Sequence, residues 1–110
     1  MAVIIEELGE ASGYEALAPT VATGITATLV RPTTGSFTSV NAQAALITVE
    51  TYPIRFRMDG VNPGATTGHK VSAGQSIVIV GERNVSRWRC IDTAAGASSV
   101  KVTVFHTARP

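Results

Sequence analysis

The sequence predicts an all-β protein, a small antiparallel β-sandwich or jelly roll with an extended N-terminal arm. Three observations carry this. From Val21 onward Thr, Val and Ile are abundant, in short runs bounded by Gly, Pro, Asn and Ser. Several runs alternate apolar and polar residues with the period of two that places alternate side chains on opposite faces of a strand. No stretch holds a convincing helical pattern. Glu6–Leu17 has room for a turn or two, but Gly9 and Gly13 each cost about 1 kcal/mol against Ala in a helix.

Strands are predicted over Ile25–Val30, Ala45–Glu50, Ile54–Met58, Ser76–Val80, Ser86–Ile91 and Ser99–His106. Pro53 lacks the N–H that a central ladder needs, so it marks a strand start and a tight corner after Glu50. In Ile54-Arg55-Phe56-Arg57-Met58 the apolar side chains take one face and both arginines the other. Ser86-Arg87-Trp88-Arg89-Cys90 repeats the pattern, with Trp88 and Cys90 on the inner face. Val100, Val102 and Val104 share a face of the last strand. Ile77-Val78-Ile79-Val80 is continuously apolar and should be covered on both sides. Trp88, Phe56, Ile79 and Val102 are the expected core between the two sheets. The long link from Asp59 to Gln75 is rich in turn chemistry, with Asp59-Gly60, Asn62-Pro63-Gly64 and Ala73-Gly74, and should cross between sheets or present a contact surface.

The chain has 110 residues, a length for one domain, read as an arm over 1–20 and a β-sandwich over 21–110. Apolar residues make up 45% and charged residues 15%, where about 25% is usual. A surface so poor in charge suits a protein that covers much of itself with partners. The charge is also segregated. Residues 1–30 hold Glu6, Glu7, Glu10 and Glu15 and no Lys or Arg, while the remainder carries a basic excess and the whole chain a net charge of +1. Such a leader is either a solvated tail or an arm that docks on basic surface. Its apolar tip, Val3-Ile4-Ile5, suits insertion into a groove or pairing with a sheet edge, and with Glu6 and Glu7 it forms one candidate interaction segment.

The search for chemistry is nearly empty, and the chain is read as a non-enzyme. Cys90 is a lone cysteine beside Trp88, better read as a small buried apolar residue than as a nucleophile. Asp59 reads as a turn former and Asp92 as a strand end, not as paired catalytic acids. His69 and His106 stand in no ligand-spaced motif. No catalytic residue, cofactor or metal site is predicted. The near-neutral balance and scarce aromatics argue against a nucleic-acid partner. No apolar stretch approaches the roughly 18 residues of a membrane span, so no membrane is expected, and no secretory signal is visible. The Arg-x-Arg pairs, Arg55/Arg57 and Arg87/Arg89, are the remaining candidates. Each projects from a strand opposite apolar residues. They are either solvated and paired with Glu50, Glu82 or Asp92, or a protein-binding patch, since Arg is enriched at interfaces.

The stretch Ala45-Leu46-Ile47-Thr48-Val49-Glu50, Pro53-Ile54-Arg55-Phe56-Arg57-Met58-Asp59-Gly60, Pro63, Gly68-His69, Ala73-Gly74-Gln75-Ser76 and Arg87-Trp88-Arg89-Cys90-Ile91 resembles small β-rich structural proteins of tailed bacteriophages. In those, a strand ending in Arg-x-x-Asp-Gly leads through a Pro-containing loop to Gly-His, then to Ala-Gly before an apolar strand. The resemblance covers residues 45–106 and implies a virion structural component, with no catalytic residues. The expectation that follows is a capsid decoration, or cement, protein. It would be assembled in the host cytoplasm onto the capsid exterior and would bridge major capsid proteins, with copies of itself as further partners in a homotrimer. The alternatives are a neck or tail adaptor and a glycan-binding host-attachment module.

Overall fold

The computed structural model describes residues 8–93 and 98–107. Val3, Ile4, Ile5, Glu6 and Glu7 therefore lie outside the described residues. Among the described residues eight strands and two short helices follow in order: β1 (Glu10–Leu17), β2 (Thr23–Gly24), α1 (Ala27–Val30), β3 (Ala44–Glu50), β4 (Ile54–Arg57), β5 (His69–Val71), β6 (Ser76–Val80), α2 (Glu82–Arg87), β7 (Arg89–Asp92) and β8 (Ser99–His106). They form two four-stranded sheets, ordered β1-β8-β3-β6 and β2-β7-β4-β5, with every pair antiparallel. The all-β sandwich is the fold the alternation predicts.

The core lies between the sheets. Ala45, Ile47 and Val49 of β3, Ile79 of β6 and Val100, Val102 and Val104 of β8 face Ile54, Val71 and Cys90 of the smaller sheet, with Trp88 and Val85 among them. Of the expected core, Trp88, Ile79 and Val102 are buried and Phe56 packs against them partly exposed. At 25 cal/mol per Å², burying a side chain of the size of Ile or Val contributes about 1.5–3 kcal/mol, so this apolar seam is what joins the layers.

Several elements differ from the sequence reading, each for a local reason. Residues 10–17 are not an arm. They form β1, which pairs with β8 from Glu10↔His106 to Leu17↔Val100, so the boundary expected at residue 20 falls inside the folded body. A bulge between Ala11 and Gly13 breaks the alternation that would have announced the strand. Ile25–Val30 is not a strand. Ile25, Leu29 and Val30 all pack on the core, a helical spacing that α1 satisfies with Val30 N–H donating to the Thr26 carbonyl at 3.1 Å. Likewise Ser86 and Arg87 belong to α2, which buries Val85 and leads into buried Trp88 three residues on. The strand starts only at Arg89, so Arg87 and Arg89 do not share a strand face.

Among the described residues, Ile77–Val80 is not covered on both sides. β6 is the edge of its sheet, and Val80 is 61% exposed. The corner at Pro53 carries the chain from β3 in one sheet to β4 in the other, with Thr51 at φ 67. The long link contains β5 and crosses to β6 at Ser72–Gln75. His106, buried at the end of β8, fastens three elements. Its Nε2 donates to the Val30 carbonyl at 3.0 Å, its Nδ1 meets the Ser12 hydroxyl of β1, and Phe37 stacks on the ring at a centroid distance of 5.1 Å.

Candidate protein-interaction face

The smaller sheet turns its inner face to the core and gathers cations on its outer face. In β4, Ile54 and Phe56 point inward, so Arg55 and Arg57 point outward. Across the ladder Arg55 stands opposite Ile91 on β7 and Lys70 on β5, and Arg57 stands opposite Arg89. Four cations from three strands thus share one surface. Arg87, at the end of α2, joins its rim. Its Nη2 donates to the Asp59 carbonyl at 3.0 Å, and its guanidinium lies across Gly60, where a Cβ would approach to 2.6 Å. The four arginines singled out by sequence therefore do come together, three on the sheet face and Arg87 by way of a helix end.

Two contacts fix the geometry. Arg57 donates from Nε and Nη2 to the two carboxylate oxygens of Asp59, at 3.0 and 2.5 Å, a bidentate fork. That hydrogen bond holds the Asp59 carboxyl down at about 2, and it raises the Arg57 pKa in turn. The turn needs the same carboxylate, because Asp59 Oδ1 also accepts from the Val61 N–H at 3.3 Å. Arg55 is held differently, with Nη1 donating to the Gly68 carbonyl at 2.9 Å. Its Nε is buried and has no partner among the described residues.

Among the described residues this face has one ion pair, Arg57–Asp59. Glu50 pairs instead with Lys101 at 3.6 Å in the other sheet. A groove of about 450 Å³ lies beside the arginines, lined by Arg57, Met58, Asp59, Gly68 and His69. His69 is exposed at its edge, with its ring tilted against Phe56 at a centroid distance of 5.3 Å. Lys70 and His69 were missed by the sequence reading. Their strand is three residues long, too short for alternation to register.

The remaining candidates are structural. Cys90 is fully buried opposite Phe56, and burial pushes its thiol up to about 12, with Asp92 adding to the shift, so the nucleophilic thiolate is suppressed. Trp88 is fully buried, which leaves Tyr14 and Tyr52 as the exposed aromatics of any glycan platform. Among the described residues no three His, Cys, Asp or Glu side chains gather as a metal site would require.

Compared with known proteins, the chain matches no family model, no curated sequence and no solved structure.

Proposed function

We propose that the chain is a virion structural protein of a tailed bacteriophage, a capsid decoration protein that docks through the outer face of β7-β4-β5 onto carboxylate-rich surface of major capsid proteins. The observation that carries this is the set Arg55, Arg57, Lys70, Arg89 and Arg87 with Asp59 as its ion-pair partner. Cations packed on one rigid sheet repel one another, and a partner rich in carboxylates relieves that repulsion. Arg forks also suit planar carboxylates. The cement role follows from burial across subunit junctions, since opening the shell then also breaks those contacts.

Each exposed ion pair contributes about 0.2–1 kcal/mol and weakens with salt, so the effect rests on several pairs acting together in many copies. The test is rebinding of purified protein to particles that lack it, across a salt series. Binding should weaken as salt rises, and Arg55→Glu with Arg57→Glu should weaken it further at low salt while the protein stays folded. Equal binding by the double variant at every salt concentration would remove this face from the interface. A low-resolution map of the particle separates the decoration role, in many lattice copies, from a neck or tail ring.

A further inference from the structure

α1 follows β2, the edge strand of the smaller sheet, and packs against α2. A groove of about 310 Å³ opens there. Its floor is apolar, made by buried Val30 and half-buried Ile25, with exposed Ala27 beside them. Its rim is cationic. Arg31, at the C-terminal end of α1, and Arg89, at the start of β7, both line it. Asn41 and Ser86 line it too, and they also line a second hollow of about 280 Å³ with Glu82 and Arg83, so the two hollows are continuous. Three guanidiniums thus stand around this recess against one carboxylate. Arg31 Nη1 donates to Asn41 Oδ1 at 3.4 Å, and among the described residues no ion pair involves Arg31, Arg83 or Arg89.

Both walls are anchored in the core. The Val30 carbonyl accepts from the Ala42 N–H at 2.7 Å and from His106 Nε2 at 3.0 Å. On the other side Val85 is fully buried, the Gly81 N–H donates to the Gln43 carbonyl at 2.7 Å, and the Ser86 hydroxyl donates to the Arg83 carbonyl at 3.0 Å. A hollow held this way is ready-formed, so a ligand spends little of its affinity on ordering the site. The groove is also continuous with the arginine face. Gly24 has no Cβ, which would sit 3.7 Å from Arg89 Cγ and 4.0 Å from its Nη1, so the Arg89 side chain lies across β2 and borders both surfaces.

We propose that this groove takes one apolar side chain of an acidic peptide segment of the partner, with the flanking carboxylates held by Arg31, Arg83 and Arg89. The two halves of the site select this ligand together. A lone anion would leave the apolar floor in water, and a lone apolar group would cover guanidiniums without pairing them. The inference rests on the docking reading for the acidic nature of the partner, and it adds an anchor. Ion pairs on the sheet face weaken with salt, whereas an apolar side chain seated between the helices is not screened.

The experiment is an NMR titration of the isolated full chain with the end-blocked peptide Glu-Glu-Leu-Glu-Glu, and with versions in which Leu is replaced by Gly or every Glu by Lys. Amide shifts should move over 25–31 and 82–89 and at Asn41. The leucine peptide should bind about tenfold more tightly than the glycine peptide, and the lysine peptide should not bind. Equal affinity for the leucine and glycine peptides, binding of the lysine peptide as tight as that of the acidic one, or no binding at millimolar peptide would overturn the proposal. Ala27→Phe fills the groove without changing its charge and should abolish the preference for leucine. A preference that survives in the folded variant would overturn the proposal as well. The peptide series on the unaltered protein needs no variant, so it decides even where Ala27→Phe fails to fold. Arg55→Glu with Arg57→Glu leaves the groove intact and should keep the preference for leucine. Failure of the docking reading is therefore seen separately, as unchanged particle binding by that double variant.

Discussion

Arg57 on β4 and Arg89 on β7 stand directly opposite each other across an antiparallel ladder. Like charges so placed destabilise a sheet. The fold tolerates the pair because the Asp59 carboxylate holds Arg57 from the side, while the Arg89 stem lies over Gly24, whose missing Cβ would sit 3.7 Å from Arg89 Cγ. The arrangement costs the isolated protein something, and a docking role gives it a use.

That tension separates stability from function in one substitution. Arg89→Glu converts the pair into a cross-strand ion pair and should stabilise the isolated fold by about 0.2–1 kcal/mol. The same change removes a cation from the face and should weaken binding to particles at low salt. Denaturant melts and rebinding assays check the two halves. A variant that is both more stable and binds as tightly as wild type would mean that Arg89 takes no part in docking.

The Arg57–Asp59 fork has a pH signature. Its hydrogen bond lowers the Asp59 carboxyl to about 2, from an ordinary value of 3.8. A group lowered in the folded state contributes stability that is fully present above its unfolded value, and this is lost as pH falls from near 4 through about 2. Carboxyl NMR titration should find the Asp59 midpoint near 2 in the wild type, and it should move back toward 3.8 in Arg57→Gln. An ordinary midpoint in the wild type would mean that the fork does not persist in solution.

Trp88 sits fully buried beside Phe56, ring centroids 6.1 Å apart, with its indole N–H unpartnered among the described residues. Trp88→Ala should cost about 3–5 kcal/mol through lost burial and a residual cavity. Trp88→Phe should cost less, because it retains an aromatic ring and removes a donor left without a bond. Equilibrium urea unfolding of the two variants gives the order. If alanine melts with the wild type, Trp88 is not the centre of the core.

The sandwich was legible where a strand is long and one face is buried. Ala44–Glu50, Ser76–Val80 and Ser99–His106 alternate or run apolar over five residues or more, and each was read almost to its ends. Legibility failed where a shorter signal competed. Glu10–Leu17 hides its alternation behind a bulge and a glycine at position 13, where a Cβ would come within 2.6 Å of Leu29. Val85 and Trp88 are spaced for a helix turn, but Trp88 and Cys90 are also spaced for a strand, and both patterns are real, since the helix gives way to the strand at Trp88. Of the basic face, Arg55, Arg57 and Arg89 could be read from alternation. Lys70 and the Asp59 anchor could not, because they depend on how the link folds back beside β4.

Gly68 is where that fold-back is decided, and it yields the sharpest test of the face. It lies at φ +122, and an added Cβ would come within 2.8 Å of the Phe56 carbonyl oxygen on β4. Its own carbonyl accepts the Arg55 guanidinium at 2.9 Å. One residue thus lets β5 approach β4 and anchors the arginine between them. Gly74, at φ +86 with nothing within 4 Å of its would-be Cβ, carries the backbone strain without the clash. Both positions lose stability on substitution by alanine, since an L side chain is strained at positive φ. Gly74→Ala should cost about 1 kcal/mol. Gly68→Ala should cost more, because the obstacle is backbone and β5 must shift to make room. That shift should also move Lys70 out of register with Arg55 on the basic face, so Gly68→Ala should weaken salt-sensitive binding to particles while Gly74→Ala leaves it unchanged. Equal losses of stability and equal binding in the two variants would mean that β5 does not depend on the close approach at Gly68.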